Sequence, residues 1–165
     1  GMHSEKYLQC AQLLQHPEAT EKACQELAKN FQDLDIQTVI SPAVGGILVS
    51  YEMARALKTR AIFAERENGK MTLRRGFTLQ PGEKVLVVED VVTTGGSVKE
   101  VIDLVKSLGA EVVGVGVLVN RSGKEMTFEA PSYSLLELEV ETYSPEECPL
   151  CKKGSKAEKP GSRKI

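Results

Sequence analysis

Residues 84–97 read Lys84-Val85-Leu86-Val87-Val88-Glu89-Asp90-Val91-Val92-Thr93-Thr94-Gly95-Gly96-Ser97, an apolar run that passes through two carboxylates into glycines and hydroxyls. Pro81-Gly82-Glu83 sets a turn before it, and the β-branched run from Lys84 to Val88 predicts a buried strand. A helix is expected from about Val98 to Leu108, stopped by Gly109. Strand, loop and helix in that order are half of a βαβ unit.

Working outward, the same alternation repeats. Pro17-Glu18 opens a helix reaching about Phe31, with Ala19, Ala23, Leu27 and Phe31 on one face. Thr38-Val39-Ile40-Ser41 predicts a short strand, Pro42-Ala43-Val44-Gly45-Gly46 a turn, and Ile47 to Leu57 a second helix. Arg60 to Glu65 is a strand, and Arg66 to Arg75, with Asn68-Gly69 as a turn signal, is a hairpin or a mobile loop. Glu111 to Val119 is apolar almost without alternation, as a strand covered on both faces should be, and Ser132 to Val140 is the last strand. The expected fold is α/β, with a central five-stranded, mostly parallel sheet flanked by helices.

Ligands of such sheets bind beyond the carboxyl ends of the strands, where the 89–97 segment falls. Gly95 and Gly96 let the backbone approach a ligand closely, and Thr93, Thr94 and Ser97 add hydroxyls. The amino end of the following helix favours an anion, most naturally a phosphate. Glu89 and Asp90 suit hydroxyl groups or a hydrated Mg²⁺ beside it. A phosphate at one end with vicinal hydroxyls nearby describes a ribose 5-phosphate. No Gly-x4-Gly-Lys-Ser/Thr string occurs, and Gly114-x-Gly116 lies inside an apolar strand with no third glycine to match a dinucleotide fingerprint.

Composition bounds the possibilities. The chain has 165 residues, 21 Lys+Arg against 23 Asp+Glu, 41% hydrophobic and 5% aromatic residues, and four Cys. That is one ordinary domain, without the basic field that draws a protein to nucleic acid or an anionic membrane, and its sparse cysteines are expected to be reduced. No apolar run spans a bilayer and no signal segment opens the chain, so a cytoplasmic protein is expected. From Glu146 onward there are six basic and three acidic residues, net +3, which leaves the remainder at 15 against 20, net −5. The tail is expected to be solvated.

The run from Val87 to Ser97 resembles the phosphoribosyl-pyrophosphate (PRPP) signature of the type I phosphoribosyltransferase family, and the likeness extends over nearly the whole chain. It is closest to the orotate-specific branch. Ser41-Pro42-Ala43-Val44-Gly45-Gly46 is positioned like that family's pyrophosphate loop; Phe63-Ala64-Glu65-Arg66 with Lys70, Arg74 and Arg75 resembles its mobile catalytic loop. Asn120-Arg121 matches the position of an Arg that holds the orotate carboxylate, and Ser4 to Tyr7 looks like part of the segment covering the base, with Tyr7 stacked on it.

The resemblance implies a type I phosphoribosyltransferase fold with a small hood. It implies transfer of the 5-phosphoribosyl group from PRPP to orotate, giving orotidine 5-monophosphate and pyrophosphate in pyrimidine synthesis. PRPP would be held by Glu89, Asp90, Val91, Val92, Thr93, Thr94, Gly95, Gly96 and Ser97, by Ala43, Val44 and Gly45, and by Arg66 and Lys70; orotate by Thr93, Arg121 and Tyr7. Catalytic roles would fall to Lys70, Arg66 and Asp90, with Mg²⁺ carried by PRPP and water near Glu89 and Asp90. A homodimer is implied, its 66–76 loop reaching into the neighbouring site, with no nucleic-acid or membrane partner.

Two departures stand out. Many relatives carry a lysine where Val44-Gly45 stand here, and the family usually has further residues ahead of this start, including a basic one at the site. The hood is therefore expected to be truncated to residues 1–16, ahead of a PRPP-binding core over 17–143 and an extension over 144–165; Gly1-Met2 resembles an expression scar, and omission of the earlier segment is the favoured reading because His3-Ser4 begins in mid-motif. Cys148-Pro149-Leu150-Cys151 is half of a zinc site; terminal packing is expected, with zinc shared across a dimer or a disulfide as alternatives. His3 is expected on the surface or beside the base site. The rival functions are a purine or uracil transferase on the same fold, against which Arg121 argues, and a non-catalytic PRPP-sensing regulator, which would need a basic surface.

Overall fold

A computed structural model describes residues 3–4 and 7–156. Its elements are β1 (His3–Ser4), α1 (Ala11–Leu14), α2 (Pro17–Ala28), β2 (Thr38–Pro42), α3 (Gly46–Leu57), β3 (Arg60–Glu67), β4 (Lys70–Leu73), β5 (Lys84–Val92), α4 (Gly96–Ser107), β6 (Glu111–Asn120), β7 (Ser132–Glu137), β8 (Thr142–Tyr143) and α5 (Pro149–Lys152). Residues 1, 2, 5, 6 and 157–165 lie outside the described set, and with them Gly1-Met2, part of the Ser4–Tyr7 segment and the basic end of the tail. Among the described residues no helix is long and apolar enough to cross a membrane.

The main sheet has six strands in the order β4-β3-β2-β5-β6-β7. Five are parallel and coincide with the five expected strands; the sixth, β4, is antiparallel to β3, because Asn68 and Gly69 both adopt positive φ and fold the 66–75 segment into a hairpin. From β2 the chain steps outward to β3 and later returns to lay β5 on the other side of β2. The strand order therefore reverses between β2 and β5, and the loops leaving their carboxyl ends diverge around a crevice.

Both faces of the sheet are covered, as the near-continuous apolar strands demand. On one face Val39, Leu86, Val88 and Leu118 pack with Leu27, Phe31, Val49 and Met53; on the other Ile40, Val85, Val87, Val115 and Val117 pack with Val98, Val101, Ile102 and Val105 of α4. The buried stripe of α2 is Thr20, Cys24 and Leu27, continuing to Phe31 in a terminal 3-10 turn. Ala19 and Ala23 sit at its margin, so the expected face is rotated by one residue. Strand β7 ends at Glu137, earlier than expected.

Gly114 and Gly116 are packing residues. A Cβ on either would lie 3.0–3.1 Å from the Phe31 ring, which is wholly buried and meets Tyr133 edge-on at 5.4 Å. Opposite this, at the amino end of the sheet, Glu83 is almost fully buried. It accepts hydrogen bonds from Thr38 Oγ1 at 2.5 Å, the Gln80 N–H at 2.7 Å and Arg60 Nη2 at 2.7 Å, joining the starts of β2, β3 and β5.

Gly116→Val should therefore cost about 1–3 kcal/mol by urea unfolding, through overpacking against Phe31, and Phe31→Leu in the same chain should recover part of it. Burial raises the Glu83 pKa, but the bonds from Thr38, Gln80 and Arg60 outweigh it and hold the carboxyl below its ordinary 4.5. The charged form is thus the stabilising one. Glu83→Gln should destabilise by roughly 1.5–3 kcal/mol at neutral pH. The wild-type advantage should be full above pH 4.5 and shrink as pH falls below it through the lowered value. An advantage that grew on acidification would contradict this.

Candidate active site

A cleft of about 730 Å³ opens where the strand order reverses. Its walls are the loop after β2 (residues 42–45), the end of β5 with the following loop (89–98), the segment 7–11, and Arg121 beyond β6. Glu100, one turn into α4, completes the rim.

Glu89 is 8% exposed and Asp90 half-buried. Backbone geometry holds both: Glu89 Oε1 accepts the Asp90 N–H at 3.2 Å and Asp90 Oδ1 accepts the Val91 N–H at 2.9 Å. The glycines of the opposite loop press against them. A Cβ on Gly45 would fall 2.5 Å from Asp90 Oδ2, and one on Gly46 would fall 2.8 Å from Ser41 Cβ and 3.1 Å from Glu89 Oε1. The two loops can converge only because those side chains are missing. Within the 43–45 loop the Ala43–Val44 peptide is cis and the Ala43 N–H donates to the Ala64 carbonyl at 2.8 Å.

Val92 is buried and Val91 packs against the core. The Val92 carbonyl accepts the Arg121 N–H at 2.7 Å, which ties the start of the 121 loop to the end of β5. Thr93 and Thr94 are exposed in the cleft. Gly95 takes φ +76° as the residue before α4, where a Cβ would also crowd Phe128 at 3.1 Å. Glycine at that position brings no side-chain cap, and no acidic residue lies in the first turn. The leading N–H groups of the helix and its positive end thus face the cleft for an anion.

The covering segment supplies Tyr7, half exposed at the cleft, and Cys10, buried in its wall with Sγ 4.0 Å from the Asp90 carbonyl. Burial, and then the charge of Asp90, push the Cys10 thiol up to about 12 against the pull of Arg121. It stays protonated, a packing residue and no nucleophile.

Lys70 and Arg66, by contrast, do not line this cleft. Lys70 is exposed on β4, and the other cations of the hairpin are held by neighbouring carboxylates: Arg66 by Glu100 at 2.7 Å, Arg75 by Glu65 at 2.8 Å and Arg74 by Glu67 at 3.6 Å. Sequence reasoning missed Glu100, which belongs to the cleft and to Arg66 at once; only its position one turn into the helix after the glycines could have marked it. It also did not foresee that His3 Nδ1 lies 3.2 Å from Cys151 Sγ, beside Cys148, which is 1% exposed.

Residues 9–148 match the model of the phosphoribosyl transferase domain. Over its full length the chain is 65% identical to the orotate phosphoribosyltransferase of Desulforamulus reducens, covering 86% of that protein. It is 58% identical over 163 residues to the orotate phosphoribosyltransferase of Thermotoga maritima, covering 99% of the chain and 87% of the relative. Among solved structures, adenine phosphoribosyltransferase from Thermoanaerobacter pseudethanolicus superposes with a TM-score of 0.70 at 19% identity, over 81% of this chain and 88% of that one. Leishmania donovani UMP synthase gives 0.67 at 20% identity, over 80% of this chain and 30% of its own. A parallel sheet with its acidic pair and uncapped helix at the switch point, and relatives matching from end to end, lead to one conclusion: the chain belongs to the phosphoribosyl transferase domain family.

Proposed function

We propose that this protein is an orotate phosphoribosyltransferase, joining orotate to the 5-phosphoribosyl group of PRPP with release of pyrophosphate. The observation that carries the reading is the acidic pair Glu89 and Asp90 facing an uncapped helix end across a glycine-lined loop, in a chain up to 65% identical to proteins of that name.

The 5-phosphate is taken by the N–H groups at the start of α4 with the hydroxyls of Thr93, Thr94 and Ser97. Glu89 and Asp90 accept hydrogen bonds from the ribose hydroxyls, and the backbone of Ala43, Val44 and Gly45 meets the pyrophosphate. Arg121, in the cleft wall, pairs with the orotate carboxylate, and Tyr7 lies against the ring. The residues fit Mg²⁺: the carboxylates of Glu89 and Asp90 offer oxygen donors at the cleft. When bound with PRPP, that ion would neutralise charge gathering on the leaving group. Displacement at the anomeric carbon needs no protein nucleophile, which agrees with a protonated Cys10.

Lys70 and Arg66 meet the pyrophosphate of the neighbouring subunit. Two facts support this: Lys70 and Arg66 do not line their own cleft, and Val44, Leu48 and Tyr51 expose apolar surface at one-turn spacing along the loop after β2 and the start of α3, 76%, 49% and 63% accessible. That stripe is the homodimer contact.

The loss of orotate absorbance on adding PRPP and Mg²⁺ tests the assignment; adenine or uracil consumed in place of orotate would overturn it. Asp90→Asn and Gly45→Ala should each raise the KM for PRPP about tenfold or more, the second by driving a methyl group into the Asp90 carboxylate. Lys70→Ala should lower kcat by about 10²–10³ with KM largely kept.

Sharing of the hairpin gives a separate expectation. Two impaired chains, Lys70→Ala and Asp90→Asn, mixed and allowed to exchange subunits and assayed at low PRPP, should regain about a quarter of wild-type activity beyond what the two parents contribute, because half the dimers are hybrids with one intact site. No recovery in mixtures proven to contain hybrids would place Lys70 in its own subunit's site.

A further inference from the structure

We propose that His3, Cys148 and Cys151 form a binding site for a thiophilic divalent cation, Zn²⁺ by its ligand chemistry, which clamps the two ends of the fold together. The three residues offer ligand atoms that all lie within 4.8 Å of one another. His3 Nδ1 is 3.2 Å from Cys151 Sγ although 148 residues separate them. Tetrahedral zinc with its usual bond lengths holds sulfur and nitrogen ligands about 3.6–3.8 Å apart, so small side-chain rotations suffice to close the cluster on an ion.

The local fold has the form such a site requires. Cys148 precedes Pro149, the first residue of α5, and that single turn carries Cys151 back beside Cys148. The backbone N–H groups of Leu150 and Cys151 reach the Cys148 sulfur. Cys148 is 1% exposed while its partners are half-buried, so an ion would sit at the surface with the protein behind it. Two thiolates and an imidazole select zinc over Mg²⁺, which prefers oxygen. Among the described residues these are the three donors of the cluster.

The third donor arrives, among the described residues, by a short pairing. His3 is delivered by β1, which pairs with β8 through two register positions, His3 with Tyr143 and Ser4 with Thr142. An isolated two-stranded pairing is marginal even at full hairpin length. A cross-link from His3 to the 148–151 turn, at the end of this ribbon, would hold it closed. Residues 7–11, a few positions on, form one wall of the substrate cleft, so the ion would secure that wall without touching substrate.

The alternative for two cysteines at this spacing is a disulfide, which has no use for His3. Metal content separates the two independently of catalysis. Elemental analysis of the full chain, purified under reducing conditions without chelator or metal resin, should find about one zinc per chain. Cobalt added to the metal-free reduced protein should give thiolate-to-cobalt charge transfer and the ligand-field absorption of a tetrahedral site. Cys148→Ser and Cys151→Ser should abolish both, and His3→Gln should weaken cobalt binding about tenfold or more. Wild-type protein that takes up neither metal, a Cys148–Cys151 disulfide that survives those conditions, or zinc retained in the double serine chain would each overturn the proposal. The cobalt titration of wild-type protein stands even if a variant fails to fold.

Discussion

Gly45 lies so near Asp90 that one added methyl group would fall 2.5 Å from its carboxylate. That approach is the constraint on which the rest of the site depends. β2 and β5 are neighbours in the sheet, and their loops leave in opposite directions. One loop ends in glycines and the other in carboxylates, so the crevice can be narrow enough for a single ligand to touch both. The core then has a plain duty: two apolar layers hold β2 and β5 in register, and Glu83 anchors their starts from the far end. Packing far from the cleft thereby controls the distance between its two walls.

Charge follows the same economy of placement. The protein carries a net −2, yet the ligands proposed for it are anions. Within the cleft the favourable field comes from the amino end of α4 and from Arg121, while the carboxylates sit where hydroxyls would be. The hairpin arginines are paired along its own strands and to Glu100. These exposed pairs are weak, on the order of 0–1 kcal/mol each, and could exchange partners for a pyrophosphate at little cost.

Most of this was legible in the chain because it is written in short-range patterns. The five parallel strands, the switch-point loop and the acidic pair all come from apolar runs, turn residues and one motif, each contained within about a dozen positions. The misses have one physical character. The register of the α2 stripe shifted by a residue because Phe31 enters through a 3-10 turn and seeks the slot over Gly114 and Gly116. The glycines themselves read as a failed fingerprint, since their meaning lies in a ring more than eighty residues away. The hairpin strand β4 was open between two readings, and the meeting of His3 with Cys151 was out of reach because only the fold brings together residues 148 positions apart.

The meeting of residues 3–4 with residues 142–143 also sets an order of events in synthesis. A nascent chain that has emerged only to the end of β7 has every strand of the six-stranded sheet, both apolar layers and the whole 89–97 segment. It lacks the partner that fastens the segment leading to Tyr7 and Cys10. The framework can therefore assemble while one wall of the cleft is still unfastened, and competence for ligand arrives as a late step.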